Sequence, residues 1–200
     1  MTLRHLWLED FRNYPALDWC PAPEGLTVIE GGNGDGKTNL LEAVAYLATL
    51  ASFRGAPGDA LVRAGHAAAV VRAETDQAGR GVLIEAELRP GQRDRVLVNR
   101  QRLPRGRDLL GVFRVTVFAP EDLILVQGGP SERRRYLDDA LVAGHPRHDA
   151  LRSEVERVLR QRGALLKQCG GSLDAGAAVT LDVWDDKLAQ AGEELAGARQ

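Results

Sequence analysis

Cysteine, lysine and aromatic residues are scarce in this sequence, and long apolar runs are absent. Only two cysteines occur in 200 residues, Cys20 and Cys169, and their wide separation excludes a disulfide framework and a cysteine-based zinc site. No stretch of about 18 apolar residues occurs, which excludes a membrane-spanning helix. The N-terminus has acidic residues where a signal peptide would have an apolar block. We therefore expect a cytoplasmic protein whose cysteines are reduced.

The formal charge is nearly balanced, at −2, but the basic residues are unusual in kind. Only three of the 26 basic residues are lysines, and one of these is Lys37. Arginine binds phosphate with a bidentate fork, whereas lysine acts as a compact point charge. The 44% hydrophobic and 27% charged shares are ordinary for a globular protein, and the length suffices for one domain with an appendage.

Glycine and lysine meet in the segment GGNGDGKTN, residues 31–39. It follows the apolar LTVIE, which is typical of a strand, and precedes the apolar LLEAVAYLATL, which is typical of a helix. The spacing G-x-x-x-x-G-K-T is the Walker A pattern. Its glycines permit close backbone approach, its N–H groups form an anion-binding nest, and the next helix adds its positive N-terminal end.

The pattern predicts a site for ATP and Mg²⁺. Lys37 can reach the β- and γ-phosphates, and the Thr38 hydroxyl can ligate the metal. The alternative is a glycine-rich β-turn with an accidental lysine. The residues predicted to bind the cofactors are Gly31, Gly32, Asn33, Gly34, Asp35, Gly36, Lys37 and Thr38.

Hydrophobic periodicity predicts an α/β body followed by helices. The predicted strands are residues 3–11, 26–30, 68–75, 81–89, 94–98 and 113–119, with the helix 40–50 after the glycine-rich turn. The three strands after that helix form an antiparallel meander. A helix from Pro130 through Val142, with Ser131 as a plausible N-cap, is ended by Gly144 and Pro146.

The last third of the chain has apolar residues at alternating steps of four and three. Two such stretches, from Leu151 to Cys169 and from Trp184 to Ala198, flank the glycine-containing CGGSLDAG. They predict an antiparallel helical hairpin, and the alternative is two amphipathic helices packed on the body. We expect residues 1–144 to form part of an ATPase lobe and residues 145–200 to begin a helical arm.

A second catalytic element, the Walker B strand ending in aspartate, is missing. The only candidate is VTVFAPED, where Pro120 separates the apolar run from Glu121 and Asp122. A self-sufficient P-loop kinase would use one of these two acids to hold Mg²⁺, and a non-enzymatic binding fragment would need neither. The chain ends inside a helical seam, so we expect a fragment of something longer.

The strongest basic stretch is residues 89–107, with seven arginines and one aspartate. Arginines on a β-hairpin suit phosphate contacts that do not read bases. The predicted DNA-binding residues are Arg93, Arg95, Arg100 and Arg102. The alternative is a solvated hairpin whose arginines face water or pair with acids elsewhere.

Six segments together resemble the RecF family of bacterial recombination mediators. They are LEDFRNY, GGNGDGKTNLLEA, SFR, PEDLILVQGGPSERRRYLD, RQRGALL and WDDKLAQAGEEL, in the family's order. The resemblance covers nearly the whole chain and implies the N-terminal half of an SMC-like, ABC-type ATPase head. The C-terminal half of the family, with its signature motif, Walker B and D-loop, has no counterpart here.

The resemblance implies a DNA-repair function. RecF-like proteins bind ATP, dimerise when bound to it, bind DNA, help load RecA at gaps with RecO and RecR, and support replication and the SOS response. It also implies that Arg12 contacts nucleotide and that Glu121 lies about where such heads have their Q-loop. Arg133 and Arg134 match paired arginines of the family, and their target (DNA, nucleotide or neighbouring acids) stays open.

Overall fold

The computed structural model describes residues 1–77, 79–170, 172 and 174–199, without the side chain of Glu121. These residues form two compact units, Met1–Asp122 and Leu123–Gln200. Among the described residues, no helix is both long and apolar enough to cross a membrane. Each unit is treated below by itself.

The first unit is built on a six-stranded antiparallel sheet with the order β2-β1-β3-β4-β5-β6. The predicted strands at 3–11, 68–75, 81–89 and 94–98 are confirmed, and so is the meander. The second strand was not predicted. The strands are β1 Thr2–Phe11, β2 Tyr14–Trp19, β3 Ala69–Gln77, β4 Arg80–Leu88, β5 Arg95–Val98 and β6 Gln101–Arg102.

Helix α1, Lys37–Thr49, belongs to the same hydrophobic core as one face of this sheet. Alternate strand positions are apolar, so each strand turns one row of side chains toward that core. The helix contributes Ala43, Tyr46 and Leu47, all buried. The sheet contributes Leu6, Leu8, Val71, Ala73, Ile84, Ala86 and Val96. Short 3₁₀ helices occur at Gly58–Leu61, Gly106–Leu109 and Pro120–Leu123.

Two of the predicted strands, residues 26–30 and 113–119, are wrong for this chain. Neither forms a strand, apart from one isolated bridge between Phe113 and Leu110. A strand needs a neighbour to bond its N–H and C=O groups, and the described residues offer these two segments no such neighbour. Three of their apolar side chains are largely exposed, at 86% for Leu26, 67% for Val28 and 92% for Phe118, whereas Phe113 is buried.

The second unit is helical, with α2 Ile124–Gln127, α3 Pro130–Gly144, α4 His148–Gln168 and α5 Ala175–Ala198. The helix predicted from Pro130 is confirmed, but its N-cap is Gly129 and not Ser131. Because Pro130 has no N–H and a fixed φ, it suits the first helical position, and the cap is therefore the residue before it, Gly129. Asp174 caps α5 by accepting the N–H of Ala177 at 2.7 Å.

The predicted helical hairpin is confirmed, because α4 and α5 pack against each other. Val158, Ala191 and Leu195 of the predicted seam are buried. The predicted boundary at residue 145 falls between α3 and α4, whereas the compact units divide after Asp122. Helix α3 joins the helical unit through ion pairs from Asp138 to Arg199 and from Asp139 to Arg152. The domain limits of a longer protein stay a prediction.

A candidate nucleotide site at the start of α1

The glycine-rich segment is a loop that leads directly into α1, whose first residue is Lys37. Gly36 adopts the left-handed region, with φ 106°. A Cβ at this position would lie 2.6 Å from both the amide nitrogen and the amide oxygen of Asn13. Only glycine therefore allows the chain to turn into the helix at this point.

The Lys37 ammonium folds back over the loop. Its Nζ donates to the carbonyl oxygens of Gly31 at 2.7 Å and Gly32 at 2.6 Å. Thr38 follows in the first turn of the helix and is exposed. A cation, a hydroxyl and the positive end of a 13-residue helix thus occur together. This arrangement can hold a polyphosphate.

The turn between β1 and β2 braces the loop, and sequence reasoning assigned it no such role. Asn13 Nδ2 donates to the carbonyl of Asp35 at 3.0 Å, and the Tyr14 hydroxyl donates to that of Gly36 at 3.2 Å. Asn39 Nδ2 in turn donates to Asn13 Oδ1 at 2.8 Å. The turn therefore ties the end of the loop to the first turn of α1. The family segment FRNY was the only sequence signal for it.

Arg12 is the first residue of this turn, and a buried carboxylate accepts hydrogen bonds from it. Its Nε and Nη2 donate to the two oxygens of Glu42, each at 2.8 Å, and its Nη1 donates to the carbonyl of Ala60 at 2.8 Å. The Ser52 hydroxyl also donates to Glu42. Three separate family segments, with Arg12, Glu42 and Ser52, thus meet in one network. Direct contact of Arg12 with nucleotide stays a prediction.

Glu42 is fully buried but remains easily ionised. Burial alone would raise its pKa, yet hydrogen bonds from Arg12 and Ser52, with the charges of Arg12 and Arg54, outweigh burial and lower the pKa. Arg54 also donates to Asn39 Oδ1 at 3.4 Å. The ionised carboxylate therefore holds Arg12, the neighbour of Asn13, in place.

The acids proposed for a self-sufficient enzyme are not presented at a strand end. Asp122 accepts the N–H of Ala119 at 2.8 Å and so closes a local turn. Glu121 lies in the short helix Pro120–Leu123, and its side chain is outside the described part of the chain. Among the described residues, no cluster of three or more acidic, histidine or cysteine side chains could hold a metal ion.

Comparison of the sequence with known proteins identifies close relatives. DNA replication and repair protein RecF of Kineococcus radiotolerans is 50% identical over 201 residues, which cover 100% of this chain and 51% of that protein. RecF of Streptomyces avermitilis is 48% identical over 206 residues, covering 100% of this chain and 54% of that protein. The chain thus spans about half the length of the curated relatives it matches. No protein-family model matches it.

Comparison of the fold agrees with the sequence relatives. A solved structure of the recombination mediator protein RecF with ATP superimposes with a TM-score of 0.89 at 30% identity, covering 99% of this chain and 52% of that chain. The chain is a relative of RecF and matches its N-terminal half. A structure of an SMC ATPase matches 70% of the chain with a TM-score of 0.57 at 22% identity. The fold is therefore that of an ABC/SMC-like ATPase head.

In this RecF relative the four arginines predicted to bind DNA are all exposed. None of them forms an ion pair with another described residue. Arg95 and Arg102 lie on the sheet face opposite the core, since Arg95 pairs in register with Glu87 and Arg102 with Leu97. Arg93 and Arg100 lie in the adjoining loops. Acidic residues such as Glu87 lie on the same sheet face as Arg95. The positive charge is therefore least offset at Arg93 and Arg100 in the loops.

One of the paired arginines matched to the RecF family has a local structural contact. Arg133 Nη1 donates to the carbonyls of Leu125 and Gly128, each at 3.2 Å, and so caps the end of α2. Arg134 is exposed. The neighbouring acids Asp138 and Asp139 pair with other arginines. Arg134 is therefore the better candidate for contact with an external partner.

Proposed function

We propose that the chain is the nucleotide-binding and DNA-binding N-terminal half of a RecF-like protein of recombinational DNA repair, acting in the cytoplasm. The observation that carries the proposal is the loop before α1, where Gly36 fits against Asn13 and Lys37 is held at the loop. The relatives named for DNA replication and repair support the same function. By the same likeness, the whole protein would form an ATP-dependent homodimer and act with RecO and RecR in loading RecA.

ATP and Mg²⁺ fit the residues at this loop. The ammonium of Lys37 and the N–H groups at the start of α1 match the charge and the oxygens of a phosphate chain. Thr38 offers Mg²⁺ one hydroxyl ligand. Mg²⁺ commonly keeps several waters and binds substrate phosphates, so few protein ligands are needed. When bound, the metal would neutralise phosphate charge.

Replacing Lys37 with alanine should weaken binding of Mg-ATP by about 100-fold, because a charge-assisted contact to the phosphates is lost. Isothermal titration calorimetry on both forms measures this. Lys187→Ala is the matched control, since Lys187 lies over Trp184 in the helical unit and should bind ATP as the original chain does. Equal affinity in the Lys37 variant and the original chain would refute the nucleotide site.

Replacing the four exposed arginines together with glutamine should weaken DNA binding regardless of sequence. If each arginine holds one phosphate of duplex DNA, the slope of log K against log salt should flatten by about 3.6. Fluorescence anisotropy across a salt series measures the slope. The residues changed are Arg93, Arg95, Arg100 and Arg102.

The control for this experiment changes two exposed arginines of α4 that pair with acids on the same helix. Arg157 pairs with Glu154 and Arg160 with Glu156. Their replacement by glutamine should leave the salt slope as it was. A slope that is unchanged by the fourfold replacement as well would remove the hairpin from the DNA surface.

A further inference from the structure

The side chain of Asp35 lies against Gly31 and Gly32, the first residues of the glycine-rich segment. The N–H of Gly32 donates to Asp35 Oδ2 at 2.5 Å. A Cβ added to Gly31 would lie 2.9 Å from this oxygen, and one added to Gly32 would lie 3.2 Å from it. Gly32 occupies a variable position of the Walker A pattern, so the pattern does not explain its glycine. The contact with Asp35 does.

The carboxylate of Asp35 places a negative charge in a loop that must receive an anion. Among the described residues it has no ion-pair partner, and the Lys37 ammonium donates instead to the carbonyls of Gly31 and Gly32. The charge of Asp35 also affects Tyr14. Burial is the larger cause and the charge of Asp35 the smaller one, and both raise the pKa of Tyr14. The Tyr14 hydroxyl itself bonds the carbonyl of Gly36.

We propose that Asp35 is a specificity-determining residue that makes this loop select metal-bound over metal-free nucleoside triphosphate. The inference rests on the proposed function of the loop. A fixed carboxylate repels every phosphate charge, and the repulsion grows with the number of those charges. The metal complex carries about two fewer negative charges than free ATP, because the bound cation cancels them. Asp35 therefore lowers the affinity for metal-free ATP more than it lowers the affinity for the metal complex.

The size of this difference in affinity depends on the distance between the Asp35 carboxylate and the phosphate charges. At about 8 Å and an effective dielectric constant between that of water and that of a protein surface, each unit charge changes affinity by about threefold. Two charges therefore separate the two forms of the nucleotide by about tenfold. The separation should shrink as salt screens the loop, because Asp35 is exposed.

Asp35→Asn isolates the charge, because the amide oxygen can still accept the N–H of Gly32. Calorimetry with ATP alone in EDTA, and with Mg-ATP, gives both affinities for the original chain and the variant. We expect Asp35→Asn to tighten metal-free ATP at least about tenfold and to reduce the preference for Mg-ATP by about the same factor. Asp35→Ala should show the same reduced preference, since it too removes the charge.

Asp76→Asn is the matched control. Asp76 also accepts a glycine N–H three residues away, that of Gly79 at 2.9 Å, but it lies opposite Thr2 at the other end of β1. This variant should keep the original preference. An unchanged preference in Asp35→Asn, or an equal loss of affinity for both nucleotide forms, would overturn the proposal while ATP binding stands. Absence of Mg-ATP binding by the original chain would overturn the proposed function and this inference with it.

Discussion

Replacing Glu42 with alanine is expected to lower the free energy of unfolding of the first unit by about 3 kcal/mol, since it leaves the Arg12 guanidinium without its buried partner. Arg12 is 18% exposed, and Glu42 is 0% exposed, so little water replaces the lost contact. Ser52 loses its acceptor as well. Urea unfolding in a Trp184→Phe background measures the change, because the remaining signal comes from Trp7 and Trp19 in the first unit.

The control is Glu85→Ala, which removes the partner of Arg72, a side chain that is 45% exposed, and should cost less than about 1 kcal/mol. A double-mutant cycle with Arg12→Ala isolates the Arg12–Glu42 coupling from the loss of either side chain. Similar costs at Glu42 and Glu85 would mean that the buried network does not stabilise the fold.

The pH dependence of stability provides a second measure of the same network. The pKa of Glu42 is lowered in the folded chain, so its ionised form is stabilised there. This contribution is fully present above the ordinary glutamate pKa of about 4.3. It is lost as the pH falls through the lowered value in the folded state. Glu42→Gln should therefore lose less stability on acidification than the original chain does.

The nucleotide loop could be predicted from sequence because its chemistry is local. Residues Gly31 to Thr38 are consecutive, and the task proposed for each depends only on its own backbone or side chain. The bracing contacts could not be predicted, because Asn13 in the turn and Tyr14 at the start of β2 contact the loop from 22 residues away in the sequence. Their composition offers no signal: asparagine and tyrosine in a turn are ordinary.

The errors in the strand assignment arose from a different cause. Apolar residues such as Val28 and Phe118 indicate burial, but burial in a sheet also requires a neighbouring strand. In the opposite direction, β2 was not predicted, and it contains Pro15. An edge strand tolerates proline, since one side of it lacks a hydrogen-bonding neighbour, and β2 lies at the edge of the sheet. Periodicity thus predicts which segments could form strands, but not which of them have a neighbouring strand to pair with.

Hydrolysis of ATP by the 200-residue chain alone is expected to be at least about 1,000-fold slower than by the same chain fused to the C-terminal half of a RecF relative. Catalysis of phosphoryl transfer depends almost entirely on positioning and electrostatic stabilisation. The described residues include Lys37 for the phosphates, but Asp122 is committed to the N–H of Ala119. Acids near the strand ends, such as Asp10, Asp18 and Asp76, are paired with basic side chains. Phosphate release at saturating Mg-ATP measures the difference.

A covalent fusion is a better test than a mixture of the two halves, because the mixture would require the two chains to associate. The C-terminal half of the Kineococcus radiotolerans protein is a suitable partner, since the matched half of that protein is 50% identical to this chain. The fusion carrying Lys37→Ala should be inactive, which separates its activity from contamination. Exposed side chains such as Leu26, Val28 and Phe118 should become protected in the fusion if its strands pair with the two segments that lack neighbours. Fast Mg²⁺-dependent hydrolysis by the chain alone, abolished by Glu121→Gln or Asp122→Asn, would instead favour a self-sufficient enzyme.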